Sequence, residues 1–79
     1  MSKPPLAPAI AEFGQRVREA RIAASMSQEA LAEAAGLHWT FVSQVERGQR
    51  NLSFTNILKL AGGLDVDPGS LLRGLALER

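Results

Sequence analysis

Apolar residues recur every three or four positions along most of the chain. From Pro8 to about Ala24 the recurring positions are Ile10, Phe13, Val17, Ala20 and Ala24. This spacing places them on one face of an amphipathic helix. No segment shows the sustained period-two alternation that is typical of a half-buried strand. The pattern therefore predicts an all-α chain with five short helices.

Two short helices are predicted in the middle of the chain. The segment Gln28–Ala35 follows Ser27, whose hydroxyl suits an N-cap position. Gly36 stands where a left-handed residue ends a helix and redirects the chain. The next helix spans about Trp39–Arg47. Its inward positions are Val42 and Val45.

The last part of the chain predicts two more helices. Ser53 is a suitable N-cap for the fourth helix. The apolar positions of that helix are Phe54, Ile57, Leu58, Ala61 and Leu64. Asp67 followed by Pro68 is typical of an N-cap and the first residue of a helix. Proline suits that first position because the amide N–H it lacks would have no partner within the helix. The fifth helix covers about residues 68–75, and its apolar stripe consists of Leu71, Leu72 and Leu75.

The N-terminal residues 1–8 differ from the rest because they include Pro4, Pro5 and Pro8. We expect them to form a flexible arm. Residues 9–79 then make up a single domain, which agrees with a length of 79 residues.

Composition argues against several kinds of site. The chain has 46% hydrophobic and 22% charged residues, as an ordinary globular domain does. It has no cysteine and one histidine, so we expect no disulfide, no metal and no cofactor. No carboxylate pair stands out as an acid and base, so we expect no enzyme. Without a run of about 20 apolar residues or a signal peptide, we expect a cytoplasmic protein that contacts no membrane.

The net charge of +1 gives only weak support to a nucleic-acid partner. Residues 28–47 indicate such a partner more strongly. Two steeply crossing helices need a small residue where their backbones approach, and Ala32 fits. Their turn needs a residue that tolerates positive φ, and Gly36 fits. Apolar anchors around the crossing are Leu31, Ala35, Leu37, Val42 and Val45. Together these positions predict a helix-turn-helix whose second helix enters the DNA major groove.

Three segments resemble the Xre family of helix-turn-helix regulators. They are residues 27–32 (SQEALA), 35–37 (AGL) and 45–51 (VERGQRN). The family includes phage Cro and repressor domains and the controller proteins of restriction–modification systems. The similarity covers about residues 10–73 and implies a five-helix, lambda-repressor-like domain that binds an operator as a homodimer.

The resemblance also implies roles for individual residues. Contacts to base edges are implied for Trp39, Thr40, Ser43 and Gln44. Contacts to the DNA backbone are implied for Gln28, Phe41, Arg50 and Asn51. Structural roles are implied for Ala32, Gly36, Arg21 and Glu46, the last two matching a family pair that joins the first helix to the third.

The chemistry of these side chains leaves alternatives open. Gln44 can make a bidentate contact with N6 and N7 of adenine. Trp39 departs from the family, which often has glutamine or arginine there. Its indole has one donor and no acceptor, so contact with a thymine methyl or a sugar competes with packing against the second helix. Phe41 could instead be a surface ring, and Arg50 a solvated charge.

Residues outside this set also receive interpretations. His38 is interpreted as a helix cap beside DNA, and Arg16 and Arg18 as part of the solvated face of the first helix. The leucine stripe of the fifth helix exceeds what one apolar face needs. We therefore interpret Leu71, Leu72 and Leu75 as a two-fold interface, the alternative being that they are only core.

Taken together, the sequence favours a homodimeric transcriptional regulator that binds a pseudo-palindromic operator in double-stranded DNA, such as a restriction–modification controller. The alternative is an antitoxin or adaptor of the same fold whose main partner is another protein. Contact with RNA polymerase or with a cognate toxin is left open by the sequence.

Overall fold

The computed structural model describes residues 4–77, and this part of the chain contains five helices and no strand. In chain order they are α1 (Pro8–Ala23), α2 (Gln28–Ala35), α3 (Trp39–Glu46), α4 (Phe54–Leu64) and α5 (Pro68–Leu72). The all-α prediction is confirmed. The helix α5 is shorter than predicted, because Arg73 has left the helical region with ψ of 127° and Gly74 has φ of 77°. No helix within these residues is long and apolar enough to cross a membrane.

Polar residues begin α2 and α4. The Ser27 hydroxyl accepts a hydrogen bond from the Ala30 amide at 2.9 Å, and the Ser53 hydroxyl accepts one from the Asn56 amide at 3.1 Å. These bonds supply partners for amides that have none within the first helical turn. Asp67 occupies the N-cap position of α5, but its side chain makes no capping hydrogen bond.

The apolar core lies between α1, α2, α3 and α4, with one residue from α5. Its largest fully buried side chains are Leu31, Leu60, Val17, Val42 and Val45. The buried face of α4 is rotated relative to the predicted stripe: Leu60 is fully buried, whereas Phe54 is 73% exposed. Apolar residues occupy both faces of α4, so helical spacing alone did not show which face is buried.

Gly14 allows α1 and α3 to approach each other closely. A Cβ atom at this position would collide with the backbone carbonyl oxygen of Val45. The apolar pattern of α1 did not indicate this role of Gly14, although a glycine inside the apolar face of a helix is itself a sign of close backbone approach. Since α3 carries the residues expected to contact DNA, Gly14 helps to set the position of α3 against α1.

Arg16 joins α1 to the end of α5. Its Nη1 atom donates to the carbonyl oxygens of Leu71 at 3.3 Å and Arg73 at 2.7 Å. The last carbonyls of a helix have no partner within the helix, and Arg16 provides one. The interpretation of Arg16 as merely solvated is therefore wrong, while Arg18 is exposed as expected.

The N-terminal segment contacts the end of α3. The Leu6 amide donates to the Gly48 carbonyl oxygen at 2.9 Å, and Pro5 packs against the same glycine. Residues 1–3 of the expected arm, and residues 78–79 of the expected domain, lie outside the described residues. The flexibility of the arm stays a prediction.

Candidate nucleic-acid interface

The turn between α2 and α3 is built on Gly36. This residue has φ of 71° and ψ of 36°, in the left-handed region that glycine adopts without steric cost. The Leu37 amide then donates to the Ala32 carbonyl oxygen at 2.9 Å, which closes the end of α2. Ala32 itself is buried at the crossing. This short turn starts α3 at Trp39, as the sequence predicts.

The helix α3 has one buried face and one outward face. Its buried residues are Val42, Val45 and Glu46. Its exposed or half-buried outward residues include Trp39, Thr40, Ser43 and Gln44. Residues three and four positions apart are neighbours on a helix surface, so these four side chains form one continuous surface. We call it the outward face of α3.

A nearly buried ion pair joins α1 to α3. The Arg21 Nε and Nη2 atoms donate to the two carboxylate oxygens of Glu46 at 2.6 and 3.0 Å, and Arg21 Nη1 donates to the Met26 carbonyl oxygen at 2.9 Å. The hydrogen bond to Glu46 raises the pKa of Arg21 above its ordinary value, although burial acts in the opposite direction. The two residues that the family resemblance pairs are therefore in contact, and their charges fix α3 against α1.

Gln28, the first residue of α2, belongs to the same network. Its Nε2 atom donates to Glu46 Oε1 at 3.1 Å. An amide nitrogen carries two protons, so the second N–H can still donate to a phosphate. The backbone contact expected of Gln28 is thus linked to the ion pair that positions α3.

Trp39 lies at the N-terminal end of the outward face and is 49% exposed. Its ring stacks on His38, with 6.1 Å between centroids and 26° between planes. It also lines a cleft of about 400 Å³ together with Arg21, Ser27, Gln28 and Glu29. The indole therefore borders the same cleft as the start of α2 while about half of the side chain is open to solvent, and the choice between DNA contact and packing for Trp39 stays a prediction.

His38 is the N-cap of α3. Its Nδ1 atom accepts a hydrogen bond from the Thr40 amide at 3.2 Å, and the Thr40 hydroxyl lies 2.6 Å from the same nitrogen. The short distance places the Thr40 hydroxyl in contact with the cap of its own helix. Thr40 is exposed, so its hydroxyl and methyl groups are both open to a partner outside the protein.

Gln44, Arg50 and Phe41 meet at the other end of the outward face. Arg50 Nε donates to Gln44 Oε1 at 2.7 Å, and the Arg50 guanidinium carbon lies 5.3 Å from the centroid of the Phe41 ring. Phe41 is half-buried and packs against the core, so it is not a simple surface ring. Asn51 is not part of this group, since it lines a different surface.

That different surface is an apolar groove of about 330 Å³ between α1, α4 and the chain after α5. Side chains that line it include Ile10, Leu52, Ile57, Leu72, Leu75 and Leu77. Leu71, however, is only 2% exposed and belongs to the core of its own chain. This burial corrects the expectation that Leu71 lies in an interface.

Comparison with known proteins agrees with this geometry. The sequence matches a helix-turn-helix family over residues 17–71. It is 51% identical over 61 residues to the control protein C.BamHI of Bacillus amyloliquefaciens, a match that covers 76% of this chain and 75% of that protein. The chain belongs to the helix-turn-helix family of controller proteins. The resemblance noted in the sequence is confirmed.

Solved structures show the same fold. The restriction–modification controller protein C.AhdI from Aeromonas hydrophila has 55% sequence identity and a TM-score of 0.77, over 78% of this chain and 94% of that chain. A hypothetical transcription factor from Neisseria has 36% identity and a TM-score of 0.78, over 90% and 86% of the two chains. The lambda-repressor-like fold predicted for this controller-family chain is confirmed.

Proposed function

We propose that this protein is a transcriptional regulator that binds a pseudo-palindromic operator as a homodimer and controls a restriction–modification system. The observation that carries the proposal is the outward face of α3. Its polar and aromatic side chains are held on a rigid support by the buried Arg21–Glu46 pair. The similarity to controller proteins supports the proposal that the regulated genes belong to a restriction–modification system.

The proposed mechanism makes and breaks no covalent bond. The α3 helices of two protomers enter successive major grooves about 34 Å apart. Phosphate contacts from Gln28 and Arg50 set the register, and base contacts from Trp39, Thr40 and Ser43 select the sequence. Discrimination between operators then comes only from differences in the free energy of binding.

The apolar groove supports a second copy of the chain as the dimer partner. Leu72 is exposed at this groove, and Phe54, Leu58 and Leu77 are also exposed among the described residues. A small domain buries little apolar surface by itself, and a two-fold partner covers such a surface with the same residues from the other chain. The interface we propose therefore rests on Leu72 and Leu75, without Leu71.

Control by protein concentration fits this arrangement. A dimer forms only as the chain accumulates, so occupancy of the operator rises steeply with dose. Such a regulator would act in the cytoplasm on DNA near its own gene. The antitoxin alternative has no observation in its favour, because the relatives reported above are controllers and a transcription factor.

Footprinting on the DNA upstream of the protein's own reading frame tests the proposal. We expect a protected region with two-fold symmetry that appears cooperatively as protein is added. The combined variant Thr40→Ala/Ser43→Ala should lose the footprint while keeping its helical circular dichroism, and Arg18→Ala should retain it. No protected region at micromolar wild-type protein would overturn the proposal.

A further inference from the structure

Gln44 does not stand alone on the outward face of α3. Its carbonyl oxygen already accepts a hydrogen bond from Arg50 Nε at 2.7 Å. The chain after α3 also turns back toward this residue, because the Gln49 amide donates to the Gln44 backbone carbonyl at 2.9 Å. The orientation of the Gln44 amide is therefore set from outside its own helix.

Arg50 is itself held by Phe41. The guanidinium carbon lies over the aromatic ring at 5.3 Å from its centroid, a cation–π arrangement that favours keeping the guanidinium beside the ring. Phe41 packs partly against the core, so the ring is a firm support. With Nε directed at Gln44, the terminal N–H groups of Arg50 are left to contact a phosphate.

This arrangement changes what Gln44 can recognise. A glutamine that contacts adenine in bidentate fashion uses its oxygen to accept from N6 and its nitrogen to donate to N7. Here Arg50 donates to one lone pair of the oxygen and places a positive charge beside it, which disfavours the approach of a second donor such as adenine N6. The amide nitrogen with its two protons is then the group that can donate to a base. Guanine presents two adjacent acceptors, O6 and N7, in the major groove.

We propose that Arg50 is a positioning residue for Gln44, and that the pair, supported by Phe41, recognises guanine rather than adenine. The inference rests on the proposed DNA-binding function and deepens it. Arg50 then contributes to sequence preference as well as to affinity. This differs from a simple phosphate contact, which would strengthen binding to all sequences equally.

The test measures affinity for an operator selected by the wild-type chain and for its three variants at the base pair that Gln44→Ala affects. The wild type should prefer guanine there by about ten-fold. Replacing that guanine by 7-deazaguanine, which lacks the N7 acceptor, should weaken wild-type binding but leave Gln44→Ala binding unchanged. A preference for adenine at this position would overturn the inference.

Arg50→Lys separates positioning from charge. It keeps the positive charge, so the salt dependence of binding should stay the same, while the guanine preference falls about ten-fold as in Gln44→Ala. The double variant Gln44→Ala/Arg50→Lys should lose no further preference. Phe41→Leu, which keeps apolar bulk, should lose part of the preference, and Arg18→Lys serves as a control with none lost.

Two results would overturn the inference while leaving the proposed function intact. One is full guanine preference in Arg50→Lys, and the other is additive loss in the double variant. A wild-type chain that selects no DNA sequence at all would instead overturn the proposed function and this inference together.

Discussion

The helix-turn-helix and the apolar groove differ in whether contacts within a single chain satisfy their side chains. In the helix-turn-helix, which the structure describes throughout, no buried side-chain nitrogen or oxygen lacks a hydrogen-bond partner, and the buried Glu46 carboxylate accepts from both Arg21 and Gln28. At the groove, leucine side chains remain open to solvent. The first region is complete within one protomer, whereas the second has the composition of a surface that needs a partner.

The largest effect is expected from breaking the ion pair behind α3. Glu46→Ala leaves the nearly buried Arg21 without its partner, which should lower the free energy of unfolding by about 3 kcal/mol. Chemical denaturation measures this change. The control is Glu12→Ala, because Glu12 pairs with Arg16 at the surface and should cost less than about 1 kcal/mol. Equal effects of the two variants would mean that the buried pair holds nothing in place.

The pH dependence of this pair follows from the pKa of Arg21. The hydrogen bond to Glu46 raises that pKa in the folded chain. A raised pKa contributes stability fully at pH values below the ordinary arginine value, and the contribution disappears only at higher pH. The free energy that Arg21 contributes should therefore be constant across the neutral range, and denaturation of the wild type and Arg21→Ala between pH 6 and 9 checks it.

Gly14→Ala should have the next largest effect. The added methyl group meets the Val45 carbonyl oxygen, so α3 must move away from α1 at a cost of about 2 kcal/mol. Gly62→Ala is the matched control in another helix, because nothing lies within 4 Å of its added Cβ. That substitution should raise the free energy of unfolding by up to about 1 kcal/mol. Thermal denaturation of both variants decides whether close approach, and not glycine itself, matters at residue 14.

Leu72→Glu tests the groove. A charge placed in an apolar interface should convert the proposed dimer to monomer in analytical ultracentrifugation, with the helical content unchanged. The control, Ile22→Glu, puts the same charge on an exposed apolar residue near the other end of α1 and should leave the dimer intact. A Leu72→Glu chain that is still dimeric would place the interface on another surface.

The smallest effect concerns Trp39. If its open indole surface packs on a thymine methyl, replacing that thymine by deoxyuridine should weaken wild-type binding about four-fold, the equivalent of about 0.8 kcal/mol. Trp39→Ala should show no such difference between the two operators. If the deoxyuridine substitution weakens binding of wild type and Trp39→Ala equally, a residue other than Trp39 contacts the thymine methyl.

Local rules explain why the sequence predicted the helix-turn-helix so fully. The Ser27 cap, the left-handed Gly36 and the inward spacing of Val42 and Val45 depend only on neighbours in the chain, and the structure has all of them. Placing Arg50 beside Gln44 needed the path of the loop after α3. For that reason the sequence suggested adenine recognition, and the guanine recognition that we propose came only from the contact between Arg50 and Gln44.

The groove region was predicted less well because its features depend on tertiary contacts. The apolar pattern of α4 fits two faces, and only packing decides that Leu60 is buried and Phe54 is exposed. The end of α5 and the burial of Leu71 depend on contact with α1, where Arg16 binds the last carbonyls. Spacing along one helix carries no information about these long-range contacts.

Selection of bound sequences from a random pool of double-stranded DNA tests the central claim most directly. We predict enrichment of two related half-sites in inverted orientation, with their centres separated by about one turn of DNA. The combined variant Thr40→Ala/Ser43→Ala should not enrich the same sequences. Enrichment of no sequence, or of a single asymmetric site, would contradict the account of a homodimeric regulator that contacts bases through the outward face of α3.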